Sequence, residues 1–222
     1  MKSGLYPKTG AKMAKVNAPL FSFNASGKLA NSLVYFPWKG IDSVRSYVVP
    51  ANPNTAAQQT QRGYFEAAVD AIHDALALAA NGLDADDKTA MALLASTRAT
   101  PRTWFNEIVK LWADAKVAGN SGCIYTDGTV SDPTHDSIDL ILYLNEEGAA
   151  TIANGKFFFG TNKSALIYSK TAAVTPNTSV ALVNSDCSAF ISAGNKIYWQ
   201  FKPDAADPCE LMNSGIYTFT AT

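Results

Sequence analysis

The second half of the chain, from residue 120 onward, consists of short runs of β-branched and aromatic residues separated by turn-forming residues. The runs lie at 123–126, 138–144, 156–159, 165–168, 179–183, 188–191, 197–201 and 215–220. In the run 138–144, apolar residues fill every second position, which is the period of a strand with one buried face. About eight short strands divided by Gly, Asn, Asp and Pro predict an antiparallel β-sandwich of the immunoglobulin-like or jelly-roll type.

Residue 55 begins a different pattern. Pro50 and Pro53 favour an extended path, and Thr55 is placed to cap a helix of about 25 residues. Gly82 is suited to the left-handed position that ends such a helix. Four apolar residues spaced by three and four form its predicted buried stripe: Phe65, Val69, Ile72 and Leu76.

Two more helices are predicted before residue 120. The second begins near Asp86 and buries Met91 and Leu94 together with Leu93. The third begins at Thr100-Pro101, because a capping residue followed by proline is a helix start signal, and it ends near Gly119.

Residues 1–26 show no convincing hydrophobic period and are predicted to form an extended segment without a core of its own. Residues 29–36 and 43–49 predict two strands, and Pro37-Trp38-Lys39-Gly40 supplies the turn of a β-hairpin. A lone hairpin is only marginally stable and needs a partner surface. We therefore predict an α+β protein with an extended basic arm and hairpin (1–55), a helical unit (56–119) and a β-sandwich domain (120–222).

Charge is segregated along the chain. Residues 1–65 hold eight basic residues and one acidic residue, a net charge of +7, whereas residues 66–119 carry −3 and residues 120–222 carry −5. Opposite charge at the two ends favours association between copies. The arm is rich in lysine and poor in arginine and interleaved aromatic residues, so nucleic acid is an unfavoured partner. No run reaches the roughly 18 apolar residues of a membrane span, and no membrane partner is expected.

The sequence contains few residues in patterns typical of catalytic, cofactor-binding or metal sites. It has no GxxxxGK[ST], GxGxxG, GxSxG or HExxH motif and only two histidines. Asp132, His135 and Asp136 are the best candidates for a cation site, but their spacing is not that of an EF-hand and aspartate favours loops in any case. We expect no metal, no cofactor and no catalytic residue, and predict a non-enzymatic protein.

The three cysteines, Cys123, Cys187 and Cys209, show no CxxC spacing. Their number and spacing argue against a zinc site or a full disulfide framework. One disulfide with a free thiol is an alternative to three reduced, partly buried thiols, and the second interpretation is favoured.

The most distinctive segment runs from Ser26 to Phe65. It contains Lys39-Gly40, Val44-Arg45 and the stretch from Tyr47 to Gln58, followed by Arg62 and Phe65. These residues resemble a recurrent pattern, KG…VR.YV.P.NP.T..Q…R..F, of phage and prophage virion structural proteins. The resemblance covers about a fifth of the chain.

The resemblance implies a homo-oligomeric virion protein, either a capsid decoration, a head–tail or neck protein, or a tail component, that contacts its own copies and other virion proteins through the arm and hairpin. Its location would be the virion, after synthesis in the host cytoplasm. The residues expected to form the assembly interface are Trp38, Lys39, Arg45, Tyr47, Pro50, Pro53, Gln58, Gln59 and Arg62.

Two alternatives remain open. The first is an extracellular filament or adhesin subunit in which the arm completes the sandwich of the next copy. The second is a carbohydrate-active or metal-dependent enzyme housed in the sandwich. Trp199 and Tyr198 are candidates for a host-surface or glycan contact of the C-terminal domain, although core positions are expected for both.

Overall fold

A computed structural model of the protein describes residues 14–15, 26–29, 32–49, 54–134, 136–148, 151–205 and 207–222. The chain divides into two compact units, Met1–Asn54 and Thr55–Thr222, and each is described by itself. Over the described residues the fold is mixed α+β with three helices, as predicted for the class, and the strand pairings there are antiparallel.

The first unit contains a four-stranded sheet. Its strands are β1 (Ala14–Lys15), β2 (Gly27–Leu29), β3 (Leu33–Trp38) and β4 (Ile41–Ser46), in the spatial order β1-β4-β3-β2. The predicted hairpin corresponds to β3 and β4, but Lys39 and Gly40 alone form its turn. Both have positive φ, 51° and 77°, as a two-residue type I′ turn requires. The placement of Pro37 and Trp38 in the turn was wrong, since both lie in the ladder.

The second unit begins with three helices: α1 (Ala56–Ala77), α2 (Ala85–Ser96) and α3 (Trp104–Ala118). Each starts at a side-chain cap, because the first N–H groups of a helix have no partner within it. Thr55 caps α1, as predicted, and Asp84 and Thr103 cap the other two. Gly119 closes α3 in the left-handed conformation with φ 85°, which confirms the predicted end of this helix.

The predicted start of α3 and end of α1 were wrong. The cap of α3 is Thr103 rather than Thr100, so the helix begins three residues after Pro101. Helix α1 ends at Ala77, and the residue with left-handed φ beyond it is Asn81 (54°) rather than Gly82. Gly82 serves a different purpose: a Cβ there would lie 2.8 Å from the carbonyl oxygen of Leu78.

The apolar stripe of α1 also differs from the prediction. Its buried residues are Ala68, Ile72 and Ala75, whereas Phe65 is 56% exposed and Leu76 is 40% exposed. Two of the three buried side chains of α1 are therefore alanines, and this helix packs against α3.

The rest of the second unit consists of strands. They are β5 (Cys123–Thr134), β6 (Ser137–Glu146), β7 (Gly155–Gly160), β8 (Tyr168–Thr171), β9 (Ala173–Thr175), β10 (Ser179–Ser185), β11 (Lys196–Pro203) and β12 (Tyr217–Thr220). One sheet has the order β5-β6-β10-β9 and the other β12-β11-β7-β8.

Two predicted strands are absent from these sheets. The run 188–191 forms a turn in which the N–H groups of Phe190 and Ile191 both donate to the carbonyl oxygen of Cys187. The run 165–168 contributes only Tyr168, the first residue of β8. Both segments are apolar because they cover the core: Ile191 is buried, and Leu166 packs against the buried cluster.

The alternation predicted for β6 is confirmed: Ile138, Leu140, Leu142 and Leu144 are all buried. The inward side chains of the two sheets belong to one buried cluster, which also includes residues of all three helices. Within this cluster the rings of Tyr125 from one sheet and Phe201 from the other have centroids 5.5 Å apart. The helices therefore share their core with the strands.

Helix α2 lies against β5 and β12, the edge strands of the two sheets. The backbone N–H of Ile216 donates to the carbonyl oxygen of Ala90 at 3.0 Å, so the chain just before β12 is bonded directly to the helix. Over the described residues, no helix has the length and apolar character needed to cross a membrane.

Candidate assembly surface

The hairpin of β3 and β4 has apolar side chains on both faces. The faces are assigned from the register, since directly paired residues of an antiparallel ladder lie on the same face. One face carries Val34, Phe36, Trp38 and Ile41. The other carries Leu33, Tyr35 and Val44. A sheet with apolar side chains on both faces is more stable when another surface packs against each face.

Little of this unit is buried. Among its described side chains only Ser43 is buried, whereas Trp38 is 53% exposed and Val49, beyond the end of β4, is 71% exposed. A small sheet whose described residues bury so little apolar surface gains little stability from its own packing. Its apolar faces are therefore suited to contact with another surface.

Four of the residues predicted for assembly lie in this unit. Trp38 and Lys39 are exposed at the tip of the hairpin, and Arg45 is exposed on β4 with its guanidinium carbon 5.4 Å from the centroid of the Phe36 ring. Tyr47 follows β4 and is partly buried. The hairpin thus carries exposed cations both at its tip and along β4, together with aromatic rings.

The other predicted residues lie at the start of α1 or outside the described residues. Pro50 and Pro53 are outside them. Gln59 and Arg62 are exposed, as is the whole stretch 54–63. Gln58 is exposed too, but its Oε1 accepts the backbone N–H of the capping threonine at 3.3 Å, so part of its hydrogen-bonding capacity is used within the helix. About the first two turns of α1 carry no buried side chain.

The candidate cation site finds no support in the part of it that the structure describes. Asp132 Oδ1 accepts hydrogen bonds from the N–H and the hydroxyl of Thr134 in the tight β5–β6 hairpin. Asp136 lies in the turn and is exposed, and His135 is outside the described residues. Over the described ranges, no group of three or more His, Cys, Asp or Glu side chains is arranged to hold a metal ion.

Trp199 is fully buried and stacks on Tyr217 with ring centroids 4.5 Å apart, so it is a core residue, as expected. Tyr198 is partly buried, with the ammonium of Lys196 5.5 Å from its ring centroid. The glycan contact considered for Trp199 is excluded by its burial. Cys123, Cys187 and Cys209 are all buried free thiols.

A buried carboxylate that the sequence analysis did not single out joins the helices to the sheets. Asp87 is fully buried, and its oxygens accept hydrogen bonds from the backbone N–H groups of Asp84, Asp127 and Gly128 and from the Tyr217 hydroxyl. Burial raises the pKa of Asp87, and these hydrogen bonds oppose the shift. Asp84-x-x-Asp87 is a capping-box pattern, but only the fold shows that its second residue is buried.

A second buried carboxylate, Glu107, is held by two cations. Arg98 Nε lies 2.7 Å from Oε1, and an Arg102 terminal nitrogen lies 2.8 Å from Oε2. The side chain of Glu107 is fully buried while both arginines are partly exposed. This cluster anchors the start of α3 to the segment that follows α2.

In comparisons with known proteins, neither a family model nor a curated protein matches this chain.

Proposed function

We propose that this protein is a non-enzymatic virion structural protein that assembles with copies of itself through its N-terminal arm and hairpin. The observation that carries the proposal is the small N-terminal sheet, which is apolar on both faces and buries only Ser43 among its described side chains. A protein surface of this kind gains most of its stability by packing against a partner.

Three further features support assembly. Residues 54–63, which include the first turns of α1, are all exposed. The first 65 residues carry +7 while the remainder is acidic, so arm and body of different copies attract one another. The sequence pattern from Ser26 to Phe65 resembles that of phage virion proteins.

For the body of the protein we propose a β-sandwich of the immunoglobulin-like or jelly-roll type. Its two four-stranded sheets share one core that is built from residues of Thr55–Thr222. This arrangement favours the virion protein over the strand-exchange adhesin, because a donor-strand subunit depends on a neighbour's strand to complete its core.

The test compares the full chain with a variant that lacks residues 1–50, using size-exclusion chromatography with multi-angle light scattering. We expect the full chain to form oligomers and the truncated protein to be a folded monomer with an unchanged far-ultraviolet circular dichroism signature for its helices. An oligomer of the same size after truncation would contradict the proposal.

A point variant tests the hairpin alone. The double substitution Trp38→Ala and Ile41→Ala removes two exposed apolar side chains from one face of the sheet. The matched control is Val117→Ala with Val183→Ala, which removes two exposed apolar side chains from α3 and β10. We expect the first pair to weaken assembly at least tenfold in concentration and the control to leave it unchanged.

A further inference from the structure

A pocket of about 550 Å³ lies where the end of α2, the loop 161–167 and strand β11 meet. Its charged lining residues are Arg98, Lys163 and Lys202, which are all basic, and none of the described residues that line it is acidic. The polar residues Gln200 and Asn213 also line the pocket.

Each of the three basic side chains makes a defined contact, but among these contacts only that of Arg98 is with an acidic group. Arg98 uses Nε for Glu107, whose carboxylate it shares with Arg102. Lys163 Nζ donates to the hydroxyl of Ser96 at 2.8 Å. Within the described part of the chain, the ion pairs include neither Lys163 nor Lys202.

Among the three basic side chains, the charged form of Lys202 is disfavoured in the folded protein. Its ammonium lies 4.9 Å from the centroid of the Phe158 ring, and the residue is partly buried. Burial lowers the pKa of Lys202, and the positive charge of Arg98 lowers it further. The charged form is therefore destabilised by folding, a cost that methionine at this position would avoid while still covering Phe158. A side chain that costs stability is typical of a functional site.

We propose that this pocket binds a phosphate or sulfate group carried on a small organic ligand. The oxyanion would supply the negative charge that Lys163 and Lys202 lack among the described ion pairs, and the terminal guanidinium nitrogens of Arg98 can donate to it in pairs. The pocket falls within the roughly 300–1,000 Å³ of small-molecule sites, which is more than a bare ion fills. Leu166, Ile167 and Ile216 provide apolar lining for the organic part.

The experiment is isothermal titration calorimetry on the full chain at constant ionic strength, with sodium chloride as the reference salt. The probes are inorganic phosphate, inorganic sulfate, glucose 6-phosphate, glucose 6-sulfate and glucose. We expect the two esters to bind more tightly than the bare ions and glucose to give no signal. The stronger ester identifies the group; esters that bind no more tightly than bare ions would contradict a ligand with an organic part.

Three variants locate the binding. Lys202→Met and Lys163→Met should each weaken ester binding about tenfold, since each removes one charge-assisted contact. Lys196→Met is the matched control: it removes the same charge from β11, six residues or about 20 Å along the strand. Lys202→Met should also raise the unfolding midpoint of the ligand-free protein, a readout that does not require the ligand. Equal binding by all variants, or no binding to the wild type, would overturn the proposal.

Discussion

The Tyr217 hydroxyl donates a 2.7 Å hydrogen bond to Asp87 Oδ1, across 130 residues of sequence. The same carboxylate accepts the backbone N–H groups of Asp127 and Gly128 in β5. One side chain of α2 therefore joins the edge strands of both sheets. Gly128 makes this contact possible, because a Cβ there would lie 2.4 Å from the Tyr217 ring. The relative position of helix and sheets thus depends on a polar cluster as well as on the apolar core.

Asp87→Asn should lower the free energy of unfolding by about 2–4 kcal/mol, because the amide offers one acceptor where the carboxylate has two and places an NH₂ against buried donors. The measurement is urea denaturation followed by tryptophan fluorescence. Asp86→Asn is the control: Asp86 is the exposed preceding residue of the same helix, and its substitution should change stability by less than about 0.5 kcal/mol. Equal effects of the two variants would contradict the role given to Asp87.

The stabilising effect of Asp87 should also depend on pH. Burial raises the pKa of this carboxyl above its ordinary value of 3.8, so the folded protein holds the proton more tightly than the unfolded chain does. The contribution of Asp87 to the free energy of unfolding is complete at pH values below the pKa of this carboxyl in the unfolded chain. It is lost as the pH rises through the higher pKa of the same carboxyl in the folded protein. The stability gap between wild type and Asp87→Asn should therefore be wider at about pH 4 than at neutral pH. A gap that widens as the pH rises would show that the folded pKa is depressed instead.

Helix α3 contains both a buried carboxylate paired with arginines, Glu107, and an exposed ion pair between Lys110 and Asp114. The contributions of the two to stability can therefore be compared on one helix. Glu107→Gln should lower stability by about 1–3 kcal/mol, less than for a fully buried pair because Arg98 and Arg102 can be solvated when the carboxylate is lost. The control, Asp114→Asn, breaks the exposed pair with Lys110 and should cost less than about 0.5 kcal/mol. Thermal unfolding of the two variants at low salt distinguishes these outcomes.

The three thiols should react only when the protein unfolds. Burial raises the pKa of Cys123, which also faces Cys209, and burial raises that of Cys187. A raised pKa leaves little reactive thiolate at Cys123 and Cys187, and burial makes all three thiols inaccessible to reagents. Iodoacetamide should therefore label none of the three in the native protein and all three in urea, as counted by mass spectrometry. Rapid native labelling at any one of them would contradict its burial.

The sequence predicted the elements whose signals are local. The alternation in β6 and the Thr55 cap depend on neighbouring residues, and both were found as expected. The predicted hairpin turn was two residues too long, because Pro37 is also a common turn residue, and the structure turns at Lys39-Gly40 alone. The start of α3 was misplaced because Thr100-Pro101 and Thr103 are competing start signals, and the structure uses the second.

Features that depend on tertiary contacts were not predicted. Phe65 is exposed because the buried face of α1 runs through Ala68, Ile72 and Ala75, and the spacing of the large apolar residues did not predict that face. The burial of Asp87 requires β5 and β12 to meet at α2, and the pocket at Lys202 requires a loop and a helix end to meet at β11. For the candidate assembly surface, the sequence predicted the hairpin, and the structure added that both faces are apolar.

Two glycines separate the effect of close packing on stability from the effect of helix propensity. A Cβ at Gly215 would lie 2.7 Å from the backbone carbon of Ala90 and 2.8 Å from the nitrogen of Met91, and backbone atoms cannot move aside locally. Gly215→Ala should therefore lower the free energy of unfolding by about 1–3 kcal/mol, as the chain before β12 is forced away from α2. Gly63 is exposed in α1 with nothing within 4 Å of such a Cβ, so Gly63→Ala should raise stability by about 0.5–1 kcal/mol. Urea denaturation measures both, and a neutral Gly215→Ala would mean that α2 and the chain before β12 are not in close contact in solution.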